Sequence, residues 1–280
     1  MLLLKLNFKI HYMYKINPLF FTSLIIVFLV NTSCSQSKEN KPLPSLKGKN
    51  TLMVYGGWQG HQPDVFTEKV SKWLKSEGAI VTISDTLSIY TDEKVMNNTD
   101  LIIQYYTQGK ITQEQFEGLD NAVKNGTGLA GCHGGLADSF HESQDYEYII
   151  GGQWVSHPGG KIPSYQVNIY DSNDPITEGL NDFEMKDTEQ YYMHVDPNNK
   201  VLAITSFTKE QHYWIQGAVI PLSWKRYHGE GRVFYLSIGH DPKDFDTYEA
   251  WQLLTRGIKW ASESKYFPKE NLLEPIYSKK

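Results

Sequence analysis

The chain has 280 residues, 40% of them hydrophobic, with a formal net charge of −5 and a pI near 6.0. That balance excludes a protein that binds nucleic acid by electrostatic attraction to phosphates. Cys132 is the only cysteine after Cys34, so no disulfide can form within the region beyond Cys34. A hydrophobic core must hold the fold, and about 230 residues from Asn50 onward are ample for one.

Residues 1–34 read as an export signal. Lys5, Lys9 and Lys15 form a positive n-region, "PLFFTSLIIVFLV" (Pro18 to Val30) an apolar h-region, and "NTSC" a small-residue cleavage site ending at Cys34. The apolar run is shorter than the roughly 20 residues a membrane span needs. An uncleaved N-terminal anchor is the competing reading. Cys34 resembles the lipidated cysteine of bacterial lipoproteins, with Asn31 where that pattern carries a leucine. The expectation is an exported protein, periplasmic or on the outer membrane, whose only membrane contact is a lipid at Cys34. Residues 35–50 are polar and proline-containing, which predicts a flexible tether.

"TLMVYGG" (Thr51 to Gly57) predicts a strand running into glycines. Phe66, Val70, Trp73 and Leu74 then recur at helical spacing up to Gly78. Further strands are expected at "AIVTI" (Ala79 to Ile83), "DLIIQYY" (Asp100 to Tyr106) and "TGLAGC" (Thr127 to Cys132). Between the last two, Thr112 and Gln115 make a capping-box pattern for a helix carrying Phe116, Leu119 and Val123. This alternation predicts βαβ units around a parallel sheet, where ligands bind beyond the carboxyl ends of the strands. After Gly160 the segments "SYQVNIY", "TEQYYMHV", "KVLAITSF", "GAVIPLSW" and "GRVFYLSIG" are strand-like additions that extend the sheet or fold over its edge. Asp246 and Glu249 then make a second capping-box pattern, starting a last helix through Trp251, Leu254 and Ile258.

Seven of the nine histidines lie between His133 and His240, and one more is His61. His61 ("GWQGHQP"), His133 ("GCHGG"), His157 ("WVSHPGG") and His240 ("SIGHDP") each sit in a glycine- or proline-containing turn after an apolar segment. Such turns are where a scaffold presents functional groups, although loop histidines also occur without function. Neutral imidazole binds divalent transition metals and exchanges protons near neutral pH. The long, irregular spacings mean that any metal site must be assembled from separate loops. Asp138, Glu142, Glu189 and Asp241 are the carboxylates close to these histidines in sequence, able to orient an imidazole or act as base.

A strand, a sharp glycine turn and a helix form an elbow that exposes the central residue of its five. In Gly131-Cys132-His133-Gly134-Gly135 that slot belongs to His133, and Cys132 points inward. With "YGGWQGH", "GLAGCHGG", "GGQWVSHPGG", "DTEQYY" and "GRVFYLSIGHD" in this order, the chain resembles the ThuA-like family of trehalose utilisation. That family is related in fold to class I glutamine amidotransferases. The resemblance implies a three-layer α/β/α flavodoxin-like fold over residues 51–265, its sheet mostly parallel with β-rich additions in the C-terminal half, and leaves 266–280 as a C-terminal tail. The amidotransferase relatives carry cysteine at the elbow, so His133 there implies no glutaminase chemistry. The family's acidic residue before the glutamate is Thr188 here, while Glu189 and Tyr191 remain.

The family implies carbohydrate catabolism alongside enzymes that make 3-keto sugars. A ketone at C3 acidifies the proton at C2, and a base that removes it allows the C1 aglycone to leave by elimination. The expectation is therefore a metal-assisted lyase or hydrolase of 3-keto glycosides. His133, His61 and Glu189 are the candidates for chemistry, and His157, His240 and His133 the candidates for a divalent metal, zinc or similar. Trp58, Asp138, Trp154, Tyr191 and Trp224 are the candidates for carbohydrate binding. A metal-dependent sugar isomerase or epimerase, and a non-catalytic sugar-binding lipoprotein, are the alternatives.

Overall fold

The computed structural model describes residues 42–272 and Tyr277. The expected export signal, Cys34 and the first residues of the expected tether lie outside the described residues. The first half alternates β1 (Asn50–Gly57), α1 (Pro63–Ser76), β2 (Ile80–Ser84), α2 (Glu93–Asn98), β3 (Leu101–Thr107), α3 (Gln113–Lys124) and β4 (Gly128–Cys132), then the short helices α4 (Gly134–Ala137) and α5 (Gln144–Ile150). The second half contains β5 (Gly152–Ser156), β6 (Lys161–Ile169), β7 (Phe183–Glu189), β8 (Tyr192–Val195), β9 (Lys200–Ser206), β10 (Val219–His228) and β11 (Gly231–Leu236), closed by α6 (Tyr248–Ala261).

One nine-stranded sheet runs β2-β1-β3-β4-β11-β10-β9-β6-β7. Strands β2, β1, β3, β4 and β11 pair in parallel. From β11 outward the sheet continues antiparallel through β10, β9, β6 and β7. The strand-rich second half thus extends the sheet edge to edge, while β5 and β8 form a separate antiparallel pair. The core is parallel and the extension is not, which makes the sheet mixed.

Helices cover both faces of the parallel core, so its strands are apolar on both sides. Because side chains alternate along a strand, Met53, Ile103 and Phe234 meet α1 and α6, while Leu52, Ile102 and Val233 meet the face covered by α3 and α5. Helix α1 shows how the local sequence achieves this. Pro63 opens the helix, Asp64 lies in its first turn, and Gly78 follows its end at φ +86°. Its buried stripe, Phe66, Val70 and Leu74, contributes about 1.5–3 kcal/mol per fully buried side chain.

Three boundaries differ from expectation. The last part of the expected tether is docked: Leu46 is fully buried, and the Asn50 amide donates to Asp100 Oδ2 at 2.8 Å. The first part of the expected tail is docked too, with Tyr266 donating to Asp100 Oδ1 at 2.7 Å and Leu272 against the core. Asp246 does not cap α6, whose N-cap is Thr247 with no side-chain bond; it pairs instead with Lys69 at 2.7 Å. The capping box lies one turn earlier, between Asp241 and Asp244.

Candidate metal centre

Strands β1, β4 and β11 of the parallel core end at one place. The chain leaves β1 through Gly56-Gly57 and a 3-10 turn that carries His61. Gly57 must be glycine, because a Cβ there would lie 1.9 Å from the Thr107 carbonyl oxygen at the end of β3. Strand β4 ends in the elbow, where His133 has φ 49° and ψ −142°. That is a strained conformation for a residue with a side chain. Just past it, Gly134 leaves room for the His61 ring, whose Cε1 would be 2.8 Å from any Cβ. His240 follows β11, and Glu189 ends β7.

One nitrogen from each of His61, His133 and His240 and one Glu189 oxygen lie within 4.8 Å of one another. His133 Nε2 is 3.3 Å from Glu189 Oε2, and His240 Nδ1 is 3.2 Å from the same oxygen. Two of the other nitrogens are occupied behind the cluster. His133 Nδ1 lies 2.8 Å from the Ser237 carbonyl oxygen and must donate to it, which leaves Nε2 as a lone-pair donor. His61 Nδ1 is 2.9 Å from Thr107 Oγ1. His240 Nδ1 is buried yet off the line of a hydrogen bond to any partner, an orphan aimed where the other donors meet.

Burial raises the Glu189 carboxyl, but the hydrogen bond from His133 and the close approach of His240 overcome that and hold it well below the usual carboxylate range. Burial, with the neighbouring His133 and His240, pushes His61 down to about 2. An ionised carboxylate and a neutral His61 imidazole are protonation states that suit a cation. Three imidazoles and one carboxylate suit zinc and similar divalent ions. The residues present fit a divalent cation.

Two buried side chains that the sequence did not single out hold these segments together. The Tyr105 hydroxyl donates to the Gly239 carbonyl at 2.7 Å and lies 3.2 Å from the His61 carbonyl. Asp244 accepts from Thr188 Oγ1 at 2.8 Å and from the Asp241 amide at 3.3 Å. Thr107 was also missed, its position at a strand end being the only signal.

A cleft of about 300 Å³ opens onto the cluster, lined among others by Trp58, Asp138, Trp154 and Tyr191 as well as His61 and Glu189. Tyr191 stacks on His133 at 3.8 Å between ring centroids. His157, nominated as a metal ligand, stands outside the four: its Nε2 is 3.8 Å from Glu189 Oε1, and its side chain is 41% exposed at the rim. Trp224, nominated for carbohydrate binding, is corrected. It is fully buried, and its indole N–H donates to the Ile150 carbonyl at 2.9 Å, so it offers no face to a ligand. Cys132 is buried behind the elbow and burial raises its thiol, which keeps it neutral and unreactive.

The fold and the site define a three-layer α/β protein with a histidine–glutamate cluster, able to hold a divalent cation, at the carboxyl ends of its parallel strands. The chain belongs to the ThuA family, described as trehalose utilisation, whose profile matches residues 50–261. Among solved structures it is similar to a ThuA-like protein from Bacteroides uniformis, at 17% identity and TM-score 0.63, over 77% of this chain and 92% of that one. A ThuA-like protein from Parabacteroides merdae aligns at 18% identity and TM-score 0.62, over 80% and 93%. A cytoplasmic protein from Salmonella typhimurium shares the fold more distantly, at 11% identity and TM-score 0.53, over 74% and 98%. A search of curated protein sequences finds no match.

Proposed function

We propose that this protein is an exported enzyme of carbohydrate catabolism, held by a lipid at Cys34, that cleaves 3-keto glycosides by proton abstraction and β-elimination. The observation that carries this reading is the convergence of His61, His133, His240 and Glu189 on one point at an aromatic-walled cleft. A divalent cation held by those four residues would supply Lewis acidity toward a sugar carbonyl. The chain itself supplies orientation. Trp58, 48% exposed, and the half-buried Trp154 present aromatic surface to a sugar, and Tyr191 closes the cleft against His133. Of the four, His61 and Glu189 line the cleft, so substrate approaches from the His61 and Glu189 side.

The elimination balances without an oxocarbenium ion. The C2–H bond breaks, its electron pair becomes the C1=C2 bond, and the C1–O bond breaks with its pair going to the aglycone oxygen, which takes up a proton. Water then adds its hydroxyl to C1 and its proton to C2, for a net hydrolysis. NMR of the mature domain with zinc and matched 3-keto and unmodified glucosides tests this. Aglycone should appear from the keto sugar alone. Rearrangement of the keto sugar without release would make the protein an isomerase, and binding of the unmodified sugar without any conversion would make it a lectin-like module.

A further inference from the structure

A cation would engage one donor atom from each of the four converging side chains, which leaves the proton abstraction to another group of the cleft. Three ionisable side chains remain in the cleft: Asp138, His157 and Tyr191. Tyr191 is buried, and burial raises its phenol far above the usual range, so it stays protonated. His157 is at the rim beside Glu189. Asp138 is different. Its side chain is 3% exposed, yet it lines the cleft.

The surroundings of Asp138 are those of a positioned carboxylate. It follows α4, the helix that leaves the His133 elbow, and its amide donates to the Gly134 carbonyl at 3.2 Å. Its carbonyl accepts from the Gln108 amide at 2.7 Å, which ties it to the end of β3. On the side chain, Gln108 Nε2 donates to Oδ2 at 3.3 Å, and His141 Nε2 contacts Oδ1. Neither partner is a fixed cation that would hold the carboxylate permanently ionised and weakly basic. Burial raises its pKa, with His141 and Gln108 only partly opposing, which strengthens it as a base. His141 is 37% exposed and flanks Trp154 at 5.7 Å between ring centroids. It therefore connects the buried carboxylate to water.

We propose that Asp138 is the catalytic base that takes the C2 proton of the keto sugar, with Gln108 and His141 positioning it and His141 linking it to solvent. The proton moves from C2 to an Asp138 oxygen, and from there to the aglycone oxygen as the C1–O bond breaks, which returns Asp138 to its starting state. Hydration of the C1=C2 bond completes the turnover. This proposal rests on the keto-glycoside reading above.

The test is proton–deuterium exchange at C2 of methyl 3-keto-glucoside, followed by NMR in D2O with the zinc-loaded full chain, alongside methanol release. Zinc affinity, measured by competition with a chromophoric chelator, reports whether each variant has kept its fold and metal centre. Asp138→Asn should lose exchange and release by at least about 100-fold, the usual worth of a positioned base, while zinc affinity stays within about twofold. Asp138→Glu, which keeps a carboxylate, should recover measurable exchange over Asp138→Asn. Exchange in Asp138→Asn within about threefold of wild type overturns the proposal, and loss confined to His157→Gln transfers the role to His157. If wild-type protein binds zinc but neither exchanges C2 nor releases methanol, the keto-glycoside reading fails and the assignment of Asp138 fails with it.

Discussion

Thr188 donates a 2.8 Å hydrogen bond to the buried carboxylate of Asp244. Thr188 immediately precedes Glu189, and Asp244 also accepts from the amide of Asp241, the residue after His240. One side chain thus locks the strand end that carries one metal-binding residue to the loop that carries another. Deleting one partner of buried hydrogen bonds leaves the others unsatisfied, at about 1–3 kcal/mol each.

Asp244→Ala should therefore destabilise the protein by about 2–4 kcal/mol and weaken zinc binding, since Glu189 and His240 lose their common support. Asp244→Asn, whose amide oxygen still accepts from Thr188, should cost less on both counts. Denaturant titration with and without zinc, on the two variants side by side, separates the effects. Equal zinc affinity in Asp244→Ala and wild type would show that the brace serves the fold alone.

The elbow stores strain. At φ 49° and ψ −142°, His133 occupies a region that only glycine visits freely, at a cost of about 1–3 kcal/mol. His133→Gly and His133→Ala both remove the ring and its stacking on Tyr191, so their difference isolates the backbone. The glycine variant should be the more stable of the two by about 1–3 kcal/mol in metal-free protein. Equal melting curves would mean that the elbow relaxes once the ring is gone.

Zinc should raise the melting temperature, and a chelator should reverse the effect. At a free concentration 100 times the dissociation constant the expected stabilisation is about 2.7 kcal/mol. His240→Ala should lose most of it, because its buried Nδ1 has no hydrogen-bond partner to keep. His157→Ala should keep most of it, since that ring stands at the rim. Thermal shift assays on both variants across a zinc series check the ranking, and an inverted order would redraw the ligand set.

In metal-free protein, acid should act through His61 first. Its folded pKa, about 2, lies below its unfolded value near 6.5. Between those values the unfolded chain binds a proton that the folded chain refuses, so stability falls as pH drops below about 6.5. The slope from this residue is at most about 1.4 kcal/mol per pH unit. Glu189, held low, adds stability that is present above its unfolded pKa of about 4.3 and lost only as pH falls through its folded value. Urea midpoints measured in a chelator from pH 7 to pH 4.5 should decline in wild type and stay flatter in His61→Gln. A decline of equal slope in both would place the acid-sensitive group elsewhere.

Part of this was legible in the chain. The parallel core followed from short apolar runs alternating with the stripe of Phe66, Val70 and Leu74, because burial on both faces of a sheet leaves that signature. The elbow singled out His133 rather than Cys132, because the template depends on local backbone geometry alone; the ring joins the four-residue cluster but is fully buried rather than exposed. Trp224 misled for a related reason: an aromatic in a strand reads the same whether its face meets a ligand or the core, and here Ile150 takes its only polar atom. Capping failed at Asp246, where a distant lysine, Lys69, captured the side chain that local pattern assigned to α6.

What the sequence by itself determined is what depends on neighbours within a few residues: the strand and helix periodicities, the glycine turns after the strands, and the histidines at four such turns. Only the tertiary structure decided which histidines meet. His61, His133 and His240 come from three parallel strands, and Glu189 from the antiparallel extension several strands away. Their convergence is set by strand order and by buried links such as Tyr105 to Gly239 and Thr188 to Asp244. The latter two residues are 56 positions apart, and no local periodicity records such a contact.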